Sequence, residues 1–184
     1  MKRFAALAVA YVGLVVVANW LASKYLITVP FTHYLAPAGV LCIGAVLVVR
    51  DWLQQLRGLR WTFGLIAFAG VLSYVVGVVA GYGSLQRVAL ASLAAFAVSE
   101  GIFETAIFTP LRKRHFTLGV ALSASVGNLV DSFVFLVLAF PAIWHSLYMG
   151  NVVGKFEMIA IGVVLTAARR RVFPVRVLFG GETP

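Results

Sequence analysis

Glu100, Glu104, Asn128 and Asp131 stand near the centres of two apolar segments, each long enough to span a bilayer. A charged side chain at that depth costs about 2.5–3.5 kcal/mol on insertion scales, so such residues face a protein interior or an aqueous cavity and mark ligand or ion pathways. Positions four apart share a helix face, and Phe96, Glu100, Glu104 and Phe108 keep that spacing throughout. By the same rule Ser125, Asn128, Asp131 or Ser132, and Phe135 line one face of the following segment. Two adjacent antiparallel helices would gather acceptors, amides and rings around one cavity near the midplane.

Each of these residues also has a plainer use. Serines and Gly127 let helix backbones approach closely, Phe96, Phe108 and Phe135 fill cores, and Asn128 bridges helices as readily as it binds a ligand. The carboxylates would serve as structural ion pairs, yet no Lys or Arg lies in the interior of either segment. Three unpaired carboxyls would cost about 10 kcal/mol together, comparable with the net stability of a whole domain. Protonation by burial offsets that cost by one route. A hydrated cavity serving a ligand offsets it by another, and is the reading favoured here.

The frame around these residues is a membrane protein. Of 184 residues 62% are hydrophobic and 11% charged, with a mean hydropathy of +1.00, which is too apolar for a soluble domain of this length. The net charge of +9 does not indicate a nucleic-acid reader, because the basic residues punctuate apolar runs instead of covering one solvated face. Cys42 is the only cysteine, which excludes a disulfide within one chain and a cysteine-based metal site. His33, His115 and His145 lack metal-ligand spacing, so neither metal nor cofactor is implied. No Gly-x-Ser-x-Gly elbow, His-Glu-x-x-His pair or phosphate loop occurs, which argues against an enzyme.

A helix needs about 20 apolar residues to cross the hydrocarbon core. Spans are expected over about 4–23, 35–53, 61–80, 87–109, 117–140 and 151–168, giving one all-α, six-helix transmembrane domain over 1–184. The opening stretch has the basic start and apolar run of a signal peptide, but without a small-x-small cleavage site it reads as a retained first helix. Pro30, Gly81-Tyr82-Gly83, Pro110 and Pro141 fall between spans, where helix breakers belong. Twelve basic residues, Lys2, Arg3, Arg50, Arg57, Arg60, Arg112 to Arg114, Arg169 to Arg171 and Arg176, fall on one side, against Lys24, Arg87 and Lys155 on the other. Lys and Arg stay cytoplasmic in short loops, so both termini are expected in the cytoplasm.

Four polar positions near span ends are ambiguous. Asp51 beside Arg50, with Gln54 and Gln55 one turn on, suits a salt bridge as well as a site. Asn19, near the outer end of the first helix, suits capping or bridging of backbone groups as well as a site, and Lys155 and Glu157 read as opening the last helix near the outer face, where snorkelling is available.

The stretch RVALASLAAFAVSEGIFETAIFTPLRKR, Arg87 to Arg114, followed by SASVGNLVDSFVFLVLAF, Ser123 to Phe140, resembles the signature region of the queuosine-precursor transporter family, also called vitamin uptake transporters. Upstream markers are Asn19 in VVVANWLASK, a Gly-containing second helix, and Asp51 in VVRDWLQQLRG. The resemblance covers about residues 12–140 and is strongest in Gly127-Asn128-Leu129-Val130-Asp131. At position 100 a Gln is expected in many relatives and at position 104 an Asp, where this chain has Glu in both places.

The resemblance implies a six-helix bundle like the substrate-binding components of energy-coupling-factor importers, in the prokaryotic inner membrane. It implies uptake of 7-cyano- or 7-aminomethyl-7-deazaguanine, with Asn19, Asp51, Phe96, Glu100, Glu104, Asn128 and Asp131 as candidate substrate-binding residues. The expected partners are this small-molecule ligand and the lipid bilayer, with no nucleic acid. A homo-oligomer and energising subunits both stay open. The alternative within the same architecture is the substrate-binding subunit of an energy-coupling-factor-type vitamin importer, for which Ala6 and Ala10 offer a small-xxx-small docking pair.

Overall fold

The computed structural model describes residues 2–103, 116–140 and 145–172, with the side chains of 2, 51, 54, 55, 59, 100–103, 116–125 and 162–172 outside the description. Six α-helices account for most of these residues: α1 (Lys2–Lys24), α2 (Ile43–Arg57), α3 (Leu59–Val79), α4 (Gly83–Phe103), α5 (Phe116–Ala139) and α6 (His145–Val172). Between α1 and α2 the chain makes a small hairpin, β1 (Leu26–Thr28) against β2 (Leu35–Pro37), with Ile27 opposite Ala36, and then a 3-10 turn over Ala38–Cys42. The sequence reading had made residues 35–53 one helix. Pro37 lacks the N–H that an interior helix position needs, so the strand ends there and α2 starts at Ile43.

α3 and α5 are apolar on their outward faces and carry polar residues among their buried ones. Along α3, Phe68, Val71, Val75 and Val79 are exposed at helical spacing, whereas Thr62, Ile66, Ala69 and Ser73 are buried. On α5, Leu129, Phe133 and Val137 are exposed, whereas Asn128, Ser132 and Leu136 are buried. A water-facing helix shows the reverse arrangement, and contiguous apolar stripes of this kind mark a lipid-facing surface. Among the described residues, Arg3–Lys24 and Arg60–Val79 are long and apolar enough to cross a membrane. Shorter apolar stretches fall at Ala38–Arg50, Gly83–Ser99 and Val126–Ala139.

Aromatic and basic residues gather at the two ends of the bundle. At one end the Arg57 guanidinium lies 5.4 Å from the Phe4 ring, which meets Trp61 edge-on. At the other, Lys24 sits 3.8 Å above Tyr82, and Trp20 meets Tyr25 edge-on. Amphipathic rings of this kind collect at the two membrane interfaces.

The bundle is joined most extensively along α4–α5, then α3–α4, with α1 contacting α2, α3 and α4 and α2 packing on α6. Ala22, Val88, Ala91 and Ala139 form one core cluster with Phe135 and Phe140, so the start of α4 meets the end of α5. The pair is therefore antiparallel, and the later part of α4, with Ser99 and Glu100, runs level with the Asn128 region of α5. A second cluster is built on Tyr11, Leu53 and Ile66. A third, of Val29, Ala36 and Val40, seats the hairpin against α6 through Val153.

Two close backbone approaches fix α6. A Cβ at Gly150 would collide with the Leu35 carbonyl, and one at Gly44 with the Met158 carbonyl. Only glycine lets these backbones meet, which is how small residues draw helices together in lipid.

Candidate functional site

α5 supplies Asn128, Asp131 and Ser132 on one inward face, and α6 answers with Asn151, Val152 and Lys155. The Asn128 side-chain amide donates to the Val152 carbonyl at 3.2 Å, and the Ser132 hydroxyl donates to Asn128 Oδ1 at 3.2 Å. Lys155 Nζ pairs with Asp131 Oδ2 as a charge-assisted hydrogen bond. At the hairpin end of the same seam the Tyr148 hydroxyl donates to the Leu129 carbonyl at 3.3 Å.

This pairing corrects one expectation. Asp131 has a cationic partner, supplied by the last helix and not by either carboxylate-bearing helix. The reason is the true start of α6. It begins at His145, six residues before the expected 151, so Lys155 lies ten residues along the helix, about 15 Å of axial rise. It is a component of the interior and not a residue opening the helix at its outer face. The Lys155 side chain is 10% exposed and that of Asp131 27%, so the pair is enclosed on the lysine side and open on the carboxylate side.

The hydrogen-bonding capacity left in the cluster is specific. Asn128 is engaged at both ends of its amide. Asp131 retains an accessible carboxylate edge, and Lys155 has two further N–H groups beyond the one directed at Asp131. Asn151, 2% exposed, has a buried Nδ2 with no hydrogen-bond partner among the described residues. Glu157 Oε2, on a different face of α6, is likewise buried without one.

The other candidate residues are distributed differently. Asn19 donates through Nδ2 to Ser73 Oγ at 3.1 Å and ties α1 to α3. Phe96 packs with the Tyr11, Leu53 and Ile66 cluster, its ring 5.7 Å from Phe63 and close to edge-on, so its aromatic contact lies on the α3 side of α4. Glu100 lies within α4 and Asp51 within α2, with both side chains outside the described residues. Glu104, Phe108 and Ser125 also fall outside them, the first two entirely and Ser125 by its side chain.

Asn151 and the role of Lys155 were missed in the sequence. Their signal is a 3–4 residue spacing through Tyr148, Asn151 or Val152, and Lys155, which mirrors the Asn128, Asp131 or Ser132 face of α5.

Comparison with known proteins locates the chain by family. The family model described as "Putative vitamin uptake transporter" matches residues 3–168. No curated protein and no solved structure matches. The match runs from the first turn of α1 to well into α6, so it takes in every helix of the bundle and both sides of the Asp131–Lys155 pair. A helical protein with apolar outward faces and a polar seam within it fits that assignment, and the chain belongs to this family, described as putative vitamin uptake transporters.

Proposed function

We propose that this protein imports a queuosine precursor, 7-cyano- or 7-aminomethyl-7-deazaguanine, across the cytoplasmic membrane of a prokaryote. The base binds between α4, α5 and α6 in a six-span bundle with both termini in the cytoplasm. The observation that carries the reading is the seam of Asn128, Asp131, Ser132, Asn151 and Lys155, a polar cluster enclosed by helices whose outward faces are apolar. Burying polar and ionic groups costs several kcal/mol wherever they lack full pairing, and a small polar substrate is what such a cluster is suited to hold. The substrate class rests on the resemblance carried by Arg87 to Arg114 and by Gly127 to Asp131, and on the carboxylates.

In this reading the Asp131 carboxylate accepts the adjacent N–H groups of the base, and Glu100 and Glu104 are the further candidate acceptors by sequence. Asn128 holds α5 against α6 so that these groups keep their register.

Uptake of the labelled base tests the proposal in cells lacking their own importer and any energising subunits. The wild-type chain should restore uptake, and Asp131→Ala and Glu104→Ala variants that reach the membrane should each lose it. Wild-type uptake in both variants would end the proposal. Restoration only when energising subunits are supplied would reassign the chain as the binding subunit of a larger importer.

A further inference from the structure

We infer that Asn151 is a specificity-determining residue of the binding site, the donor that receives the 6-oxo group of a guanine-type base. The inference rests on the importer reading above and adds the atom-level rule by which the site selects its ligand.

Its basis is the unmatched hydrogen-bonding capacity along α5 and α6. The charges of Asp131 and Lys155 cancel each other, so the site favours a ligand edge that is neutral overall. Asn128 is engaged at both ends of its amide by Val152 and Ser132. The buried group of this seam with no partner among the described residues is the amide donor Asn151 Nδ2, and the seam also holds the open edge of the Asp131 carboxylate. Asn151 and Lys155 are four residues apart on α6 and therefore share a face. The row this makes along the seam is a donor followed by an anionic acceptor with room for two N–H groups.

The complementary edge is an acceptor followed by two donors. A 2-amino-4-oxopyrimidine ring presents that edge, as guanine and the 7-deazaguanines do, with O6, N1–H and the 2-amino group in line. Asn151 Nδ2–H donates to O6, and the Asp131 oxygens accept from N1–H and from the exocyclic amine. Lys155 stays paired with Asp131. An adenine-type ring has the opposite order, an amine facing Asn151 and a lone pair facing the carboxylate, and fails at both positions.

A buried donor without a partner is costly to a folded protein, and replacing it by an apolar group of similar shape is close to neutral or stabilising. Retaining such a donor in the packed face of α6 is accounted for when a ligand completes it.

Two probes differing at one atom test this on purified full-length protein. 7-Deazaguanine has the oxygen acceptor, and 6-thio-7-deazaguanine keeps N1–H and the 2-amino group but offers a weak sulfur acceptor. The wild type should bind the oxo compound about 10-fold more tightly, the worth of one neutral hydrogen bond, and should reject 7-deazaadenine by about 100-fold or more. Asn151→Leu should unfold at the same or a higher temperature, yet bind the oxo compound about 10-fold more weakly and show no oxo-over-thio preference. A variant that keeps the wild-type preference overturns the role of Asn151 and leaves the importer reading standing. A wild type that shows no oxo-over-thio preference overturns it even if the variant does not fold. A wild type that binds none of the deazaguanines overturns both.

Discussion

Two buried asparagines, Asn19 and Asn128, show how differently one residue type is used in the two halves of the bundle. Asn19 joins α1 to α3 by a single neutral bond to Ser73, and the Ser73 hydroxyl in turn donates to the Ala69 carbonyl at 2.8 Å. That contact is short and local, and it carries no charge. Asn128 joins α5 to α6 within a cluster that also holds an ion pair and, one turn before Lys155, a buried amide donor without a partner among the described residues. Helix association in lipid needs only contacts of the first kind, together with small residues that let backbones approach. A charged and under-satisfied cluster exceeds what association requires, and that surplus is what sets α5–α6 apart from α1–α3 and supports the site proposed there.

The sharpest way to break the comparison is to remove the charges. Asp131→Leu and Lys155→Met each leave one enclosed charge without its partner, and each should cost about 3 kcal/mol, the low end for a buried pair because the carboxylate edge is open. The double variant should recover most of that loss, since replacing both members by apolar residues is often neutral or better. Unfolding in detergent measures the cycle. Uptake of the labelled base should be abolished in all three proteins, so the double variant separates stability from transport. Additive losses in the cycle would show that the two groups do not answer each other, and the α5–α6 seam would lose its distinction from α1–α3.

Much of the architecture was legible in the sequence because each helix is a long apolar run closed by Pro, Gly or basic residues. The inward face of α5 was also legible, since Asn128 and Ser132 recur at helical spacing on an otherwise apolar segment. The start of α6 was not. His145, Ser146, Gly150 and Asn151 lower the local hydropathy and read as a loop, although the first turns of α6 are buried by the hairpin and need no lipid-facing character. Starting that helix late placed Lys155 near an interface and left Asp131 without its partner. The hairpin was hidden for a related reason. Its strands are three residues each, too short to show alternation, and β2 merges with the apolar run of α2.

α6 carries its own internal contrast, which Gly150 can sharpen. One face meets α5 through polar groups, while the other meets the hairpin and α2 through backbone, at Gly150 against Leu35 and at Gly44 of α2 against Met158. Gly150→Ala forces a methyl group into the Leu35 carbonyl, which β2 turns toward α6, and should cost about 1–3 kcal/mol by overpacking. The damage should be confined to that face. Hydrogen exchange should accelerate at the hairpin amides, including Val29 N–H, which donates to the Tyr34 carbonyl. The affinity for 7-deazaguanine should change far less than in Asp131→Leu. Equal losses on both faces would mean that α6 responds as a single rigid unit.

The smallest expected effect lies at Ser73, and it decides what Asn19 is for. Ser73→Ala removes the acceptor of Asn19 Nδ2 while leaving Asn19 in place, so it changes the α1–α3 contact without touching a residue considered for the site. Interhelical hydrogen bonds of this kind average about 0.6 kcal/mol in membranes, and a shift in the unfolding midpoint of that size is the expected outcome. If Asn19 is a bridge between helices, the Kd for 7-deazaguanine is the same in Ser73→Ala and wild type. If Asn19 reads the base, freeing its amide from Ser73 reorients it and the Kd moves with the mutation. A shifted Kd at near-constant stability would carry the binding site across the bundle to α1, and the division between a bridging half and a binding half would no longer hold.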